Sequence, residues 1–257
     1  MRKFNSLYLC AMFSVCLKAQ LPVPLGSAAN FGVLASSTVT NTGATLVTGS
    51  LGISPGTSLS GFPPGTVDGV IHLADGTAAT AQNDLTIAYN NAQGRPAGTT
   101  VATIGAGGTL TPGVYTATST LGISGTLTLN GAGVYIFQIG SGLNVASGSQ
   151  VILAGGATAD NVFWQVGSSA ILGSGSIFYG DILAQASITE NTGAVLNGRA
   201  LARTGAVTLQ GNTDTNPDGP GPGAPNPTPA PAASLSLVGT GLACTALYQW
   251  RKRLLRA

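Results

Sequence analysis

The sequence predicts an all-β solenoid with one long α-helix packed alongside it. Three observations carry that prediction. Short β-prone runs of Val, Ile, Leu and Thr alternate with Gly-containing turns through the middle of the chain. Those runs recur in units of about twenty residues, the length of one solenoid coil. A single segment departs from this pattern and follows helical periodicity instead.

The chain opens with an export signal. Arg2 and Lys3 precede a mostly apolar run from Leu7 to Leu17, and Leu17-Lys18-Ala19 ends in a small residue. This is the grammar of a cleavable secretory peptide over residues 1–19, and the run is short for a membrane span. The solenoid domain is expected over 20–212. Its first coil shows in Val33-Leu34-Ala35 followed by Thr38-Val39-Thr40-Asn41-Thr42-Gly43-Ala44. Ile182-Leu183-Ala184 followed by Ser187-Ile188-Thr189-Glu190-Asn191-Thr192-Gly193-Ala194 repeats it near the other end.

The helix is expected at about residues 77–93, where Ala81, Leu85, Ala88 and Ala92 share one face with Tyr89 beside them. Asp75 or Thr77 caps its start, and Gly94 and Pro96 stop it. Later coils begin at Gly133–Gln138, Asn161–Val166, Gly180–Ala184 and Gly198–Ala202. Each is followed by a second run: Leu143–Ser147, Ala170–Ser174, Ser187–Asn191 and Ala206–Gln210. The runs Val134–Ile139 and Val162–Val166 are apolar at successive positions, as in strands buried on both faces. The helix is therefore expected to cover them, with Phe137, Phe163 and Trp164 buried between solenoid and helix.

Residues 213–231 read as a Pro/Gly-rich extended linker, with seven prolines from Pro217 to Pro231. The tail, 232–257, is apolar to Tyr248 and ends in Trp250 and the cluster Arg251, Lys252, Arg253 and Arg256, the pattern of a membrane-associating segment with a basic stop. It resembles the PEP-CTERM sorting signal of exopolysaccharide-producing bacteria, with Pro229-Ala230-Pro231 at the motif position. Both ends imply a secreted or cell-surface protein, with inner-membrane or exopolysaccharide association through the tail.

Charge and chemistry narrow the function. Of 10 basic residues only Arg95, Arg199 and Arg203 fall between 20 and 231, against all 8 acids. A nucleic-acid partner needs clustered Lys or Arg, so none is expected. Cys10, Cys16 and Cys244 lie in the two ends, which leaves the domain without a disulfide or a catalytic thiol. His72 is the sole histidine and Glu190 the sole glutamate. Glu190 reads as part of a turn, and Asp84, Asp160 and Asp181 as solvated turn or edge positions. With no metal-ligand cluster and no phosphate loop, neither an enzyme nor a cofactor is expected.

Small hydroxyl residues recur instead. Thr38, Thr40 and Thr42 alternate along one strand and share a face. Thr45 follows at the corner, and Ser147, Ser149, Ser174, Ser176 and Thr192 occupy related corners. Thr189 and Thr208 sit at matching points of the second runs. Stacked ~4.8 Å apart, such residues form a rigid grid of hydroxyls and methyls able to order water. Solvent-face Ser and Thr on ordinary strands are the bland alternative.

Residues 25–212 resemble the microbial ice-binding family. The resemblance is carried by Leu25–Phe31, Thr48–Pro55, Pro112–Tyr115, Tyr135–Ile139, Asn161–Val166, Gly180–Ala184, Asn191–Ala194 and Asn197–Ala202. It implies a right-handed, discontinuous β-helix with the first strand inserted among later coils, and ice bound on one flat face. Some members carry a Thr-Ala/Gly-x-Thr/Asn pattern there. Thr42-Gly43-Ala44-Thr45 matches it, Thr192-Gly193-Ala194-Val195 keeps its first half, and the Ser147 and Ser174 corners replace Thr with Ser.

The function expected is therefore adsorption to ice or ordered water by a monomer, through Thr38, Thr40, Thr42, Thr45, Ser147, Ser149, Ser174, Ser176, Thr189, Thr192 and Thr208. The competing reading is a cell-surface or matrix adhesin that binds exopolysaccharide, which stacking aromatics on one face would mark.

Overall fold

The computed structural model describes residues 20–105 and 107–216. The leader, nearly all of the linker and the tail lie outside the described residues. Among those described, the strands form three parallel sheets of nine, eight and eight strands. Each complete coil contributes one short strand to each sheet, and Ile71–Leu73 adds the ninth to the first.

The coil order is discontinuous. The first coil is Phe31–Ala35, Thr38–Asn41 and Leu46–Thr48. On one side it pairs with the second coil, Ser50–Ile53, Ser58–Ser60 and Thr66–Asp68. On its other side it pairs with the last, Ala200–Ala202, Val207–Leu209 and Thr213–Thr215. Thr213–Thr215 lies past the boundary expected at 212, because the third sheet needs a strand between Val195–Asn197 and Leu46–Thr48.

The helix makes this order possible. It runs from Gly76 to Gln93, 18 residues or about 27 Å at 1.5 Å per residue. Eight strand spacings of ~4.8 Å separate the two edges of the nine-stranded sheet, about 38 Å. Helix and the short segment 94–98 together span that distance. They carry the chain from Ile71–Leu73 at one edge to Thr99–Thr100 at the other.

Local chemistry fixes the helix ends. Asp75 is the N-cap, and its carboxylate accepts from the Ala78 backbone N–H at 2.8 Å. That bond, then the His72 ring at 2.6 Å, holds Asp75 below its usual 3.8. The cap therefore stabilises the protein above that pH, and the contribution is lost as pH falls through the depressed folded value. Asp75→Ala is expected to lower the melting temperature modestly, and Asp75→Asn, which keeps an acceptor, to restore most of it by thermal denaturation.

Packing follows from the alternation of the strands. Val162–Val166 is buried throughout, so its side chains divide between two cores. Phe163 and Ile136 face Leu85, Ala88 and Ala92 of the helix, while Phe137 and Trp164 point into the solenoid. Only Phe163 of the three expected aromatics thus lies between solenoid and helix; a strand cannot send 163 and 164 the same way. Inside, Tyr115, Phe137 and Trp164 stack in succession and Phe178 packs tilted against Trp164, with Phe137 and Trp164 centroids 3.8 Å apart. The repeated glutamines hold the helix. Gln138 Nε2 donates to the carbonyls of Ala92, Gln93 and Arg95, and Gln165 Nε2 donates to the Tyr89 hydroxyl at 2.8 Å. The first satisfies helix-end carbonyls that lack internal partners.

The acids expected at solvated turns or edges are not all there. Asp84 accepts from Ser27 N and Oγ, which ties the N-terminal segment to the helix. Asp181, Glu190 and Asp214 are fully buried. Glu190 lies on strand Ile188–Glu190 and not in a turn. Coil stacking encloses these positions, an effect that local polarity does not reveal.

Candidate functional site

The second sheet leaves its outer surface free of the helix. Its strands are mostly three residues long, so the first and third side chains enter the core and the middle one points outward. Register then lines the middle residues into one column. In order along the axis it reads Ser60, Thr40, Thr208, Thr189, Ile171, Asn144, Gly122 and Thr103. No register shift interrupts it, and neighbours repeat every ~4.8 Å. Four successive hydroxyls, Ser60 to Thr189, occupy the half built around the inserted first coil.

A second row lies beside this column. Thr38 pairs with Ser58. The Ser169 and Ser187 hydroxyls accept from the backbone N–H groups of Ser187 and Ala206, at 3.3 and 3.2 Å. Those bonds fix the hydroxyls to the ladder. Neither row carries a charge, and Ile171, 42% exposed, adds a methyl surface of similar height.

The expected corner residues divide into two groups. Ser147, Ser174, Thr192 and Thr42 are exposed at the border of this sheet, and Thr192 Oγ1 donates to Gln210 Oε1 at 3.2 Å. Thr45, Ser149 and Ser176 are at most 1% exposed and cannot meet an external surface. Gly148 and Gly175 adopt φ of 68° and 63°, which turns the chain so that the residue before faces out and the one after faces in. Two of these inward hydroxyls brace the corners. Thr45 Oγ1 donates to Asn41 Oδ1 at 2.5 Å and accepts from Asn212 N, while Ser149 Oγ accepts from Gly125 N. Thr38, Thr40, Thr189 and Thr208 all fall on the outer surface of the sheet.

Sequence reasoning missed Ser58, Ser60, Thr103 and Asn144. None of the four falls on the corner or threonine positions that the sequence marks, and each joins this surface through the register of its strand with its neighbours.

The third sheet offers a contrast. One of its outward columns pairs Asp68 with Thr48, Thr215 with Asn197, Asn197 with Tyr179, and Ile152 with Thr128. A charge and a phenol among short side chains make that surface uneven. Among the described residues there is no group of three or more His, Cys, Asp or Glu side chains that could hold a metal.

Comparison with known proteins identifies the family and the fold. A family model described as ice-binding-like matches residues 33–215. An ice-binding protein of Nostoc sp. (strain HG1) is 46% identical over 235 residues, covering 89% of this chain and 87% of that protein. The crystal structure of an ice binding protein from an Antarctic biological consortium superposes with TM-score 0.73 at 50% identity, over 76% of this chain and 91% of that one. An ice-binding protein from an Arctic yeast, whose structure is described as the basis of its antifreeze activity, gives TM-score 0.73 at 33% identity, over 80% and 98%.

Proposed function

Because the chain belongs to the ice-binding-like family, we propose that it adsorbs to ice through the outer surface of its second sheet and so inhibits ice growth and recrystallisation. The observation that carries this reading is the uncharged column Ser60, Thr40, Thr208 and Thr189, held in unbroken register. Each threonine presents a hydroxyl that bonds water and a methyl that water must enclose. Backbone ladders fix their spacing, so ordering the first water layer costs the protein little conformational entropy. A charged group would orient water radially and disrupt that layer.

The test is direct. Purified protein added to polycrystalline ice held just below melting is expected to stop grain coarsening at micromolar concentration and to facet single crystals. Unchanged coarsening up to solubility would refute the reading. The adhesin alternative lacks its expected support, since Phe137, Phe163 and Trp164 are buried and the hydroxyl columns carry no ring.

The same proposal places the protein outside the cytoplasm, acting as a monomer. The segment 1–19 supports export, and the tail 232–257 supports membrane or exopolysaccharide association. N-terminal sequencing of the natural protein should begin at Gln20, and an intact Met1 would contradict export by cleavage.

A further inference from the structure

Directly behind the hydroxyl column lie two carboxyl groups that no part of the site uses. Glu190 follows Thr189 on strand Ile188–Glu190, and Asp214 is central in Thr213–Thr215. Both are 0% exposed, and they lie within hydrogen-bonding reach of each other. None of their four oxygens receives a donor from another group. In register beside Glu190 are Leu172 and Leu209; beside Asp214 are Leu196 and Val47. None of these neighbours titrates. The other buried charged side chains among the described residues, Asp181 and Arg199, bond each other. The pair therefore sits in an aliphatic core, where the last coil meets the inserted first coil.

Ionised carboxylates only accept hydrogen bonds, so two of them in contact without a donor repel each other and lose hydration. One proton between them converts repulsion into an O–H···O⁻ bond; two protons remove the charge. We propose that Glu190 and Asp214 are a proton-holding pair built into the core beneath the hydroxyl face, and that the protons they hold set the stability of the coils carrying Thr189, Thr208 and Thr40. Its consequence for ice rests on the function proposed above; its consequence for stability does not.

Burial raises Glu190 well above the usual 4.5, and the Asp214 charge raises it further. Burial raises Asp214 to about 7, offset in part by the hydrogen bond from Glu190. In the unfolded chain both protons leave near their ordinary values of 4.5 and 3.8. Between about pH 5 and 7 the folded protein thus holds protons that the unfolded chain has released, and stability falls as pH rises. Each retained proton raises the unfolding constant about tenfold per pH unit, so two raise it up to about a hundredfold. Above about 7 Asp214 ionises in the folded state and the slope halves on a logarithmic scale. The Asp75 cap acts with opposite sign at lower pH and does not overlap this window.

Glu190 is next to Thr189 on one strand, and that strand pairs with the one that carries Thr208, so a second charge that loosens the pair disturbs the spacing of these two threonines first.

The experiment compares the protein with Glu190→Gln/Asp214→Asn by urea unfolding at several values from about pH 5 to 8. The natural pair is expected to show an unfolding constant rising on the order of 10,000-fold across that range, and the amide pair less than ~3-fold. Equal pH dependence in the two proteins would overturn the proposal. If the double variant does not fold, Glu190→Gln alone should reduce the slope to at most about tenfold per unit, and an unchanged slope is again contrary. Recrystallisation assays at about pH 5.5 and 8.5 form the second arm, with inhibition weakened at the higher pH in the natural protein only. Different stability slopes with no effect on ice from either protein would remove the ice reading and leave the pair standing.

Discussion

Replacing Arg199 with alanine is expected to cost about 3–5 kcal/mol of folding stability, the usual penalty for stranding one partner of a buried ion pair. Arg199 Nη1 lies 2.9 and 3.0 Å from the two Asp181 oxygens, with exposures of 1% and 0%. Its Nε donates to the Ala29 carbonyl at 2.9 Å, an acceptor shared with Asn216 Nδ2. Ala29 belongs to the 3-10 turn Gly26–Asn30 that leads into the first strand. Arg199 therefore ties the late coils to the segment that positions the inserted coil. Its loss should also speed proteolysis within residues 20–50. Urea unfolding followed by circular dichroism measures the cost. Arg199→Met/Asp181→Leu, which removes both charges, should recover much of it, since an apolar pair pays no desolvation. Equal losses for the single and double variants would show that the pair matters for packing alone.

Thr208→Tyr is expected to weaken ice inhibition by at least ~10-fold, about 1.4 kcal/mol of adsorption free energy, while leaving the fold intact. Thr208 sits between Thr40 and Thr189 at the centre of the hydroxyl run. A phenol there stands several ångströms above its neighbours and lifts the surrounding rows off any planar lattice. Tyrosine is well tolerated on strands, so the loss should appear in recrystallisation assays and not in melting temperature. Asn144→Tyr, farther along the same column, should cost less, because its neighbours are Ile171 and Gly122. A larger loss at Asn144 would place the contact on the other half of the sheet.

Much of this architecture was legible because its signals are local. The helix announces itself by Ala81, Leu85, Ala88 and Ala92 between Asp75 and Gly94, and the structure buries those four and caps it at those two ends. The coils show through their Gly corners and apolar runs. What stayed hidden depends on stacking. Glu190-Asn191-Thr192-Gly193 reads as a polar turn, yet the next coil seals Glu190 against Asp214. Ser147 and Ser149 look equivalent in sequence, but the positive φ of Gly148 sends one outward and one inward. The unbroken apolar runs point Phe137 and Trp164 to the helix side, which strand alternation and the pairing of Phe137 with Trp164 forbid once Phe163 faces the helix. Ser60 and Thr103 join the column, and Ser58 the row beside it, only through register with neighbouring coils.

The most direct measurement is partition of labelled protein into ice grown slowly from solution, compared for the natural protein, Thr208→Tyr on the second sheet and Thr128→Tyr on the third. If the second sheet is the binding surface, the natural protein and Thr128→Tyr will concentrate in the ice, and Thr208→Tyr will stay in the liquid. Exclusion of Thr128→Tyr with retention of Thr208→Tyr would contradict it.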